Sequence, residues 1–305
     1  MIIDLHIHSR SSDGALTVEE IIKVAKHRNI ELMSITDHDS IECQEAAVAL
    51  ATKAGIRYVT GVELNITMYL YPAYSALMSG LFSLKEANYF KGKTMALDFL
   101  GYQFDFNNKP LRAKLKEMAD YREKRAARIL SNINAEFEKE GIEKLTKSDF
   151  ESIQASVDGS LGRPHIADYL VKKGVVKSRQ EAFDKYLVKC DVPKYPLYLE
   201  EASRLVRNAG GKMVLAHPND PHGTSLVTLT KSLNEQTEVI EESILRSIDG
   251  IECWHSRNDA ETTNHYVEFA KKHRLTMTGG SDCHQKPIVM GTVEIPDFVA
   301  EQFRP

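Results

Sequence analysis

The chain has 305 residues, of which 42% are hydrophobic and 27% charged, and its net charge is −4. That length can bury the core of one large or two ordinary domains, and that charge gives no general reason to expect a stable nucleic-acid complex. No apolar stretch approaches the ~20 residues of a membrane span. Asp4 and His6 interrupt the first apolar run, unlike a signal peptide, and Cys43, Cys190, Cys253 and Cys283 form no C-x-x-C, so a reduced, cytoplasmic protein is expected.

The first third alternates strand and helix signals. Residues 2–8 read as a strand. Thr17-Val18-Glu19-Glu20 is a capping box that opens a helix through Arg28, with Val18, Ile21, Ile22 and Ala25 on one face. Residues 31–36 are expected as a strand, 42–54 as a helix and 56–64 as one strand. The stretch 65–92, rich in Tyr, Met and Ser, reads as a long, partly ordered insertion, and 95–106 returns to strand character. From Lys109 the pattern changes. Residues 111–140 form one long charged helical pattern, followed by helical segments at 147–153, 165–173 and 179–188. The alternation then resumes: helix 200–208, strand 212–217, helix within 234–247, strand 250–254, helix 259–273 and strand 275–278. No internal repeat or low-complexity tract is present.

Short strands alternating with helices predict an α/β fold built from parallel units. Roughly seven such units point to a closed or nearly closed barrel, with its site at the carboxyl ends of the strands. An open doubly wound sheet is the alternative, with the site at a switch point. Two discontinuous segments, 1–108 and 200–305, would form this body, and 109–199 a helical insertion.

The strand ends carry the chemistry. His6 and His8, one residue apart, point to the same face of a strand. An isolated H-x-H is as readily a pair of structural histidines. Here, however, Asp13 follows in the next turn, and the second strand ends in Asp37, His38 and Asp39. The third strand carries Glu63, and the one before the helical insertion carries Asp98. Later strands end in His217 and His255, and the last in Asp282 and His284. Imidazole and carboxylate are ligands for Zn²⁺, Mn²⁺ and iron. Nine or more such groups at one sheet edge would repel and desolvate one another unless cations held them. A multinuclear metal site is expected, with Glu63 suited to bridge two ions.

The stretches D-L-H-I-H-S-R-S-S-D-G, I-T-D-H-D, G-V-E, L-A-H-P and G-G-S-D-C-H resemble the motifs of the polymerase and histidinol phosphatase (PHP) metallo-phosphoesterases. The resemblance is strongest to a bacterial branch hydrolysing small phosphate esters, including nucleoside 3′,5′-bisphosphates. It implies a distorted (β/α)7 barrel of the PHP type with an inserted helical domain. It also implies two or three divalent ions (Mn, Fe or Zn). His6, His8, Glu63 and Asp282 would hold one. Glu63, His217 and position 98 would hold a second, and Asp13, His38 and His284 a third. Position 98 is usually His in an H-x-L-G pattern; here it is Asp98 in D-F-L-G, a harder anionic donor that would favour Mn²⁺ or iron.

Arg163 and His165, in G-R-P-H before a helix, are candidate substrate contacts, and Arg163 offers a bidentate fork for phosphate. Their structural alternatives are an ion pair and a helix cap. His255 could orient phosphate or protonate the leaving oxygen, as could His165; Arg257 and Asn258 are weaker candidates. Trp254 is expected in the core. Arg122 and Arg125 lie on a helix expected to be solvated, either of which could turn towards a cleft. The resemblance implies metal-assisted hydrolysis of a small phosphomonoester, a nucleotide being the expected substrate. An amidohydrolase-like C–N hydrolase is the competing enzyme class, and a metal-stabilised regulatory module the competing non-enzyme class. No feature of the sequence fixes the oligomeric state.

Overall fold

The computed structural model describes residues 1–69, 94–157 and 161–304. The predicted insertion at 65–92 lies outside these from residue 70 onward, whereas 65–69 continue a strand. The first half contains β1 (Ile2–Asp4), α1 (Val18–His27), β2 (Ile30–Met33), α2 (Gln44–Ala54), β3 (Arg57–Tyr58), β4 (Gly61–Tyr69) and β5 (Thr94–Tyr102). A helical stretch follows, with α3 (Lys109–Glu140), α4 (Lys147–Gln154), α5 (Arg163–Lys172) and α6 (Arg179–Ala182), which runs into a π turn at Phe183–Leu187. The remainder holds α7 (Leu199–Asn208), β6 (Lys212–Leu215), α8 (Leu233–Val239), β7 (Gly250–His255), α9 (Ala260–His273), β8 (Thr276–Gly280) and α10 (Phe298–Glu301).

The capping box at Thr17 and Glu20 forms, with Glu20 N donating to Thr17 Oγ1 and Thr17 N to Glu20 Oε2. α1 then buries Val18, Ile21, Ile22 and Ala25, its apolar stripe, against the first sheet. α7 buries Leu199, Ala202, Ser203 and Val206 in the same way against the second.

The eight strands of the described residues form two sheets rather than one ring. β1, β2 and β3 are parallel, and β4 to β8 make a mixed sheet in which β4–β5 and β5–β6 are antiparallel and β6–β7–β8 parallel. Two expectations are corrected here. The strand expected over 56–64 is broken at Val59 and Thr60, and its halves belong to different sheets. The distorted (β/α)7 barrel, expected from parallel units, is not confirmed: β5 runs antiparallel to both its neighbours, and the strands of the described residues form no single closed ladder.

The sheets instead meet at two seams. At one, Leu5 N donates to Gly279 O, Asp282 N to His6 O and His8 N to Cys283 O, with an isolated bridge between Ile7 and Cys283. At the other, Glu63 N donates to Asp37 O and Asp39 N to Glu63 O, with a bridge between His38 and Glu63. An apolar layer from both sheets (Ile3, Leu5, Leu32, Leu100, Tyr102, Val214) fills the space between them, and the Tyr102 hydroxyl donates to Leu5 O at 2.6 Å.

Gly280 makes the first seam possible. A Cβ there would lie 2.3 Å from His6 Cβ and 2.4 Å from His6 N, so any side chain would push β8 off the chain that carries His6. Asp4 fixes the same region: its buried carboxylate accepts from Ser281 N, Gly291 N and His6 N. Burial raises its pKa against those hydrogen bonds.

Helix α3 straddles two cores. Leu111, Leu115 and Met118 join the cluster beneath the mixed sheet, whereas Ala126, Ile129, Leu130, Ile133 and Phe137 join a second cluster with α4 to α6. Where these cores part, a cavity of about 760 Å³ opens.

Candidate metal centre and its cationic wall

The donors converge at the two seams, because that is where strand ends from both sheets meet. His6 and His8 leave β1 on one face, with their Nε2 atoms 3.2 Å apart. Glu63 comes from β4, and Asp282 and His284 follow β8. Glu63 Oε2 lies 3.4 Å from His6 Nε2, 3.2 Å from His8 Nε2 and 3.0 Å from His38 Nδ1. Its other oxygen is 3.0 Å from His217 Nε2. Asp282 Oδ1 is 3.4 Å from His6 Nε2 and 3.3 Å from both His8 Nε2 and His284 Nδ1. Asp13 Oδ1 lies 3.3 Å from His284 Nε2 and 3.8 Å from His8 Nδ1.

Three donor groups result: His8, Asp13, His38 and His284; His6, His8 and Asp282; and His6, Glu63 and His217. Several of these atoms are buried without a hydrogen bond, among them His8 Nδ1, Asp13 Oδ1, Glu63 Oε2 and His217 Nδ1. Buried polar atoms are nearly always satisfied, so this concentration in one place fits residues shaped to hold cations. The protein alone can only draw protons into the site. Burial opposes charge on His8, yet Asp282 and Glu63 raise its pKa to about 10. His217 is raised to about 9, with burial again opposing and Glu63 prevailing. His38 goes the other way, lowered by burial. Despite their burial, Glu63 and Asp282 are held well below the usual carboxylate range by the surrounding imidazoles.

The backbone is strained at the same places. Asp39, His217 and Asp282 have φ of 48°, 22° and 53°. Left-handed conformations of this kind in non-glycine residues cluster at functional sites.

Asp98 stands apart from these groups. Because β5 is antiparallel, position 98 lies mid-strand, directly opposite Asn65 in the ladder. Asn65 Nδ2 donates to Asp98 Oδ1 at 2.5 Å, and Asp98 lines the cavity without joining a converging donor group.

Of the other predicted contacts, His165 and Arg163 line the cavity while also bonding to the scaffold, and His255 lies buried behind it. His255 is buried and its Nε2 makes no hydrogen bond, lying 3.6 Å from Asp282 Oδ2. Its Nδ1 accepts from Arg257 N at 3.3 Å. His165 lines the cavity while its Nδ1 accepts from Gly162 N, capping α5; burial lowers its pKa. Arg163 lines it too, and its Nη1 donates to Asp191 Oδ2 at 2.7 Å. Both structural alternatives are thus observed alongside the cavity placement. Trp254 is half-buried, edge-on to Phe298. Cys283 turns away from the donors into the apolar cluster behind α1.

Sequence reasoning passed over Glu252, which is fully buried. It holds His6 Nδ1 at 3.0 Å with one oxygen and accepts from His217 N with the other. This fixes the orientation of the His6 imidazole, the carboxylate–histidine arrangement found behind metal ligands, and anchors the backbone of His217. A charge inside the apolar strand G-I-E-C-W-H was its available signal. Arg122 and Arg125 also had one. They continue the α3 stripe Leu111, Leu115, Met118, Arg122, Arg125, Ile129, at alternating spacings of four and three. On a core stripe, cations mark the place where the core gives way to a cavity. Arg122 pairs with Asp39, and Arg125 with Asp191. With Arg163 and Lys194 they face the donor cluster from the helical side.

Among known families, the PHP domain model matches residues 4–200. A 3′,5′-nucleoside bisphosphate phosphatase of Chromobacterium violaceum is 28% identical over 291 residues, covering 92% of this chain and 87% of its own. A 5′-3′ exoribonuclease of Haemophilus influenzae is 29% identical over 222 residues, covering 70% and 68%. A Bifidobacterium adolescentis structure assigned as a metal-dependent phosphoesterase superposes with a TM-score of 0.75 at 25% identity, covering 98% of this chain and 94% of its own. A Chromobacterium violaceum structure described as an amidohydrolase with bound sulfate and no metal gives 0.71 at 28% identity, covering 98% and 93%. No helix of the described residues is long and apolar enough to cross a membrane.

Proposed function

The chain belongs to the PHP family, and we propose that it is a phosphomonoesterase acting on a small phosphorylated substrate, a nucleotide with one or two phosphates, at a centre of two or three divalent ions. The observation that carries this reading is the division of Glu63: one oxygen faces His6, His8 and His38, and the other faces His217. A carboxylate shared in this way suits adjacent cations. His6, His8, Glu63 and Asp282 would hold one ion, Glu63 and His217 a second, and Asp13, His38 and His284 a third, with Asp98 at the margin of the second. Mn²⁺, Fe²⁺ or Zn²⁺ so held would supply a nucleophile from water near neutral pH and neutralise phosphoryl charge.

The chain's own residues position and discriminate. Arg122, Arg125, Arg163 and Lys194 line the wall opposite the donors, so an anionic substrate is drawn between two surfaces. Asp191 holds Arg125 and Arg163 with one carboxylate, and the fork of Arg163 can exchange it for a phosphate. The hydrogen bond from Arg257 N to His255 Nδ1 places the ring proton on Nε2, where it can be donated to an oxygen beside Asp282. The bond from Gly162 N does the same for His165. Residues 109–199 then act as a substrate-selecting wall on the body formed by 1–108 and 200–305.

The test is product analysis with Mn²⁺-loaded protein offered nucleoside 3′,5′-bisphosphates, nucleoside monophosphates and a 5′-phosphorylated oligoribonucleotide. Inorganic phosphate from the bisphosphate is expected. Stepwise nucleotide release from the oligonucleotide alone would replace the monoesterase reading by a nuclease one, and no product from any would overturn both. Amine release from amide substrates would favour C–N hydrolysis, the activity suggested by the description of one structural neighbour.

A further inference from the structure

At and beyond the ends of β6, β7 and β8 lies a fourth donor group, in which Asp220 joins His255 and Asp282 and to which the function proposed above assigns no ion. Asp220, His255 and Asp282 each bring a ligand atom within 4.8 Å of the others, and all three residues are buried. Two buried carboxylates so close repel each other unless a cation stands between them. The chain supplies that cation itself. Nη1 of Arg257 donates to Asp220 Oδ2 at 2.5 Å and to Asp282 Oδ2 at 3.0 Å. Independently, His255 Nε2 is sealed from solvent, makes no hydrogen bond and points to within 3.6 Å of Asp282 Oδ2. Gly223 leaves room at the third corner, since a Cβ there would lie 2.7 Å from Asp220 Oδ2.

We infer that Arg257 is a tethered cation standing where a metal ion would otherwise bind Asp220, His255 and Asp282, and that it thereby limits the centre to the other three groups. A guanidinium suits the task because it keeps its charge at any physiological pH and cannot be removed by a chelator. Its hold is asymmetric. Asp282 keeps Oδ1 for His6, His8 and His284 while Oδ2 is committed to Arg257. The same residue closes the group a second time through its backbone. Its N–H on His255 Nδ1 leaves the proton on Nε2 and no lone pair facing the carboxylates. In an Arg257→Ala protein that long hydrogen bond remains, but it is a weak bar against two carboxylates left without a counter-charge. The inference rests on the metal-centre reading only for the other three groups.

Counting Mn²⁺ tests it, using the EPR signal of the free ion in titrations of folded protein monitored by circular dichroism. The unsubstituted chain should take no more than three equivalents and Arg257→Ala one more than the unsubstituted chain. Arg257→Lys, which keeps a cation, and Asp220→Asn combined with Arg257→Ala should both stay at the unsubstituted count. A fourth equivalent in the unsubstituted chain, no gain in Arg257→Ala, or a gain in either control would overturn the inference. Should Arg257→Ala unfold in chelator, saturating Mn²⁺ should restore it, and failure to refold there also counts against the idea. If the unsubstituted chain binds no Mn²⁺ the metal-centre reading fails, whereas a gain of one in Arg257→Ala would still uphold the role of Arg257.

Discussion

The floor and the wall of the cavity treat charge in opposite ways. The floor gathers its donors from the ends of β1, β2, β4, β6 and β8, from His6 to His284, and buries carboxylates among imidazoles. The wall comes from one stretch of chain, Arg122 to Lys194, and its arginines are already matched by Asp39 and Asp191. Without ligands the floor reaches neutrality only by taking up protons, as the raised His8 and His217 show. The wall keeps a surplus of positive charge, since Arg122, Arg125, Arg163 and Lys194 share only Asp39 and Asp191, and it can exchange one carboxylate for another anion. On the function proposed above, chemistry would reside in the floor, while substitutions in the wall would alter selectivity with little disturbance beneath it.

Glu63→Gln breaks the floor most severely. Initial rates should fall on the order of 10³-fold or more, and Mn²⁺ binding should weaken in parallel; retained activity would sink the scheme. Gly280→Ala attacks the floor through its scaffold. The Cβ meets His6 backbone at 2.4 Å, so a loss of about 1–3 kcal/mol in urea melts is expected, together with weaker Mn²⁺ binding because the seam opens. Arg163→Ala acts on the wall alone. KM for a bisphosphate should rise about tenfold with kcat little changed, and a fall confined to kcat would place Arg163 outside substrate binding.

The smallest effect belongs to Asp149, which lies in the helical stretch away from both faces. Its carboxylate accepts from Lys173 Nζ at 2.7 Å, from the Tyr169 hydroxyl at 2.5 Å and from Thr146 N at 2.5 Å. The Lys173 ammonium first, then these hydrogen bonds, hold it well below its ordinary value of 3.8. Its contribution is thus complete above that value and lost as the pH falls through the depressed one. Asp149→Asn should cost about 1 kcal/mol near neutrality, and the difference should vanish in acid melts. A loss that persists unchanged in acid would show that the charge is not what stabilises.

Much of the floor was legible because His6, His8 and His217 close apolar runs, where a polar side chain has few reasons to be. Direction was not legible. Nothing in the runs around Glu63 and Asp98 tells a parallel pair from an antiparallel one, and the reversal of β5 puts Asp98 opposite Asn65 rather than at a strand end. The break at Val59 and Thr60 was hidden for a related reason: residues 56–64 are apolar enough for one buried strand, and only pairing partners split them between sheets. Glu252 and Asp220 stayed out of view because each matters through a contact with a distant residue, His6 or Arg257. Arg163 was legible as a phosphate contact, but the α3 part of the wall was read as solvated by default because charge on a long helix usually is, and the unbroken three-four spacing through Arg122 and Arg125 was the contrary sign.

The two seams have a mechanical consequence. His6 and His8 follow the three-stranded sheet, whereas Glu63 and Asp282 belong to the five-stranded one and its extension. Any ion shared between these donors is a rivet through both plates of the molecule. Its binding energy is then also fastening energy, so that stripping the ions should loosen the whole shell as well as silence the site.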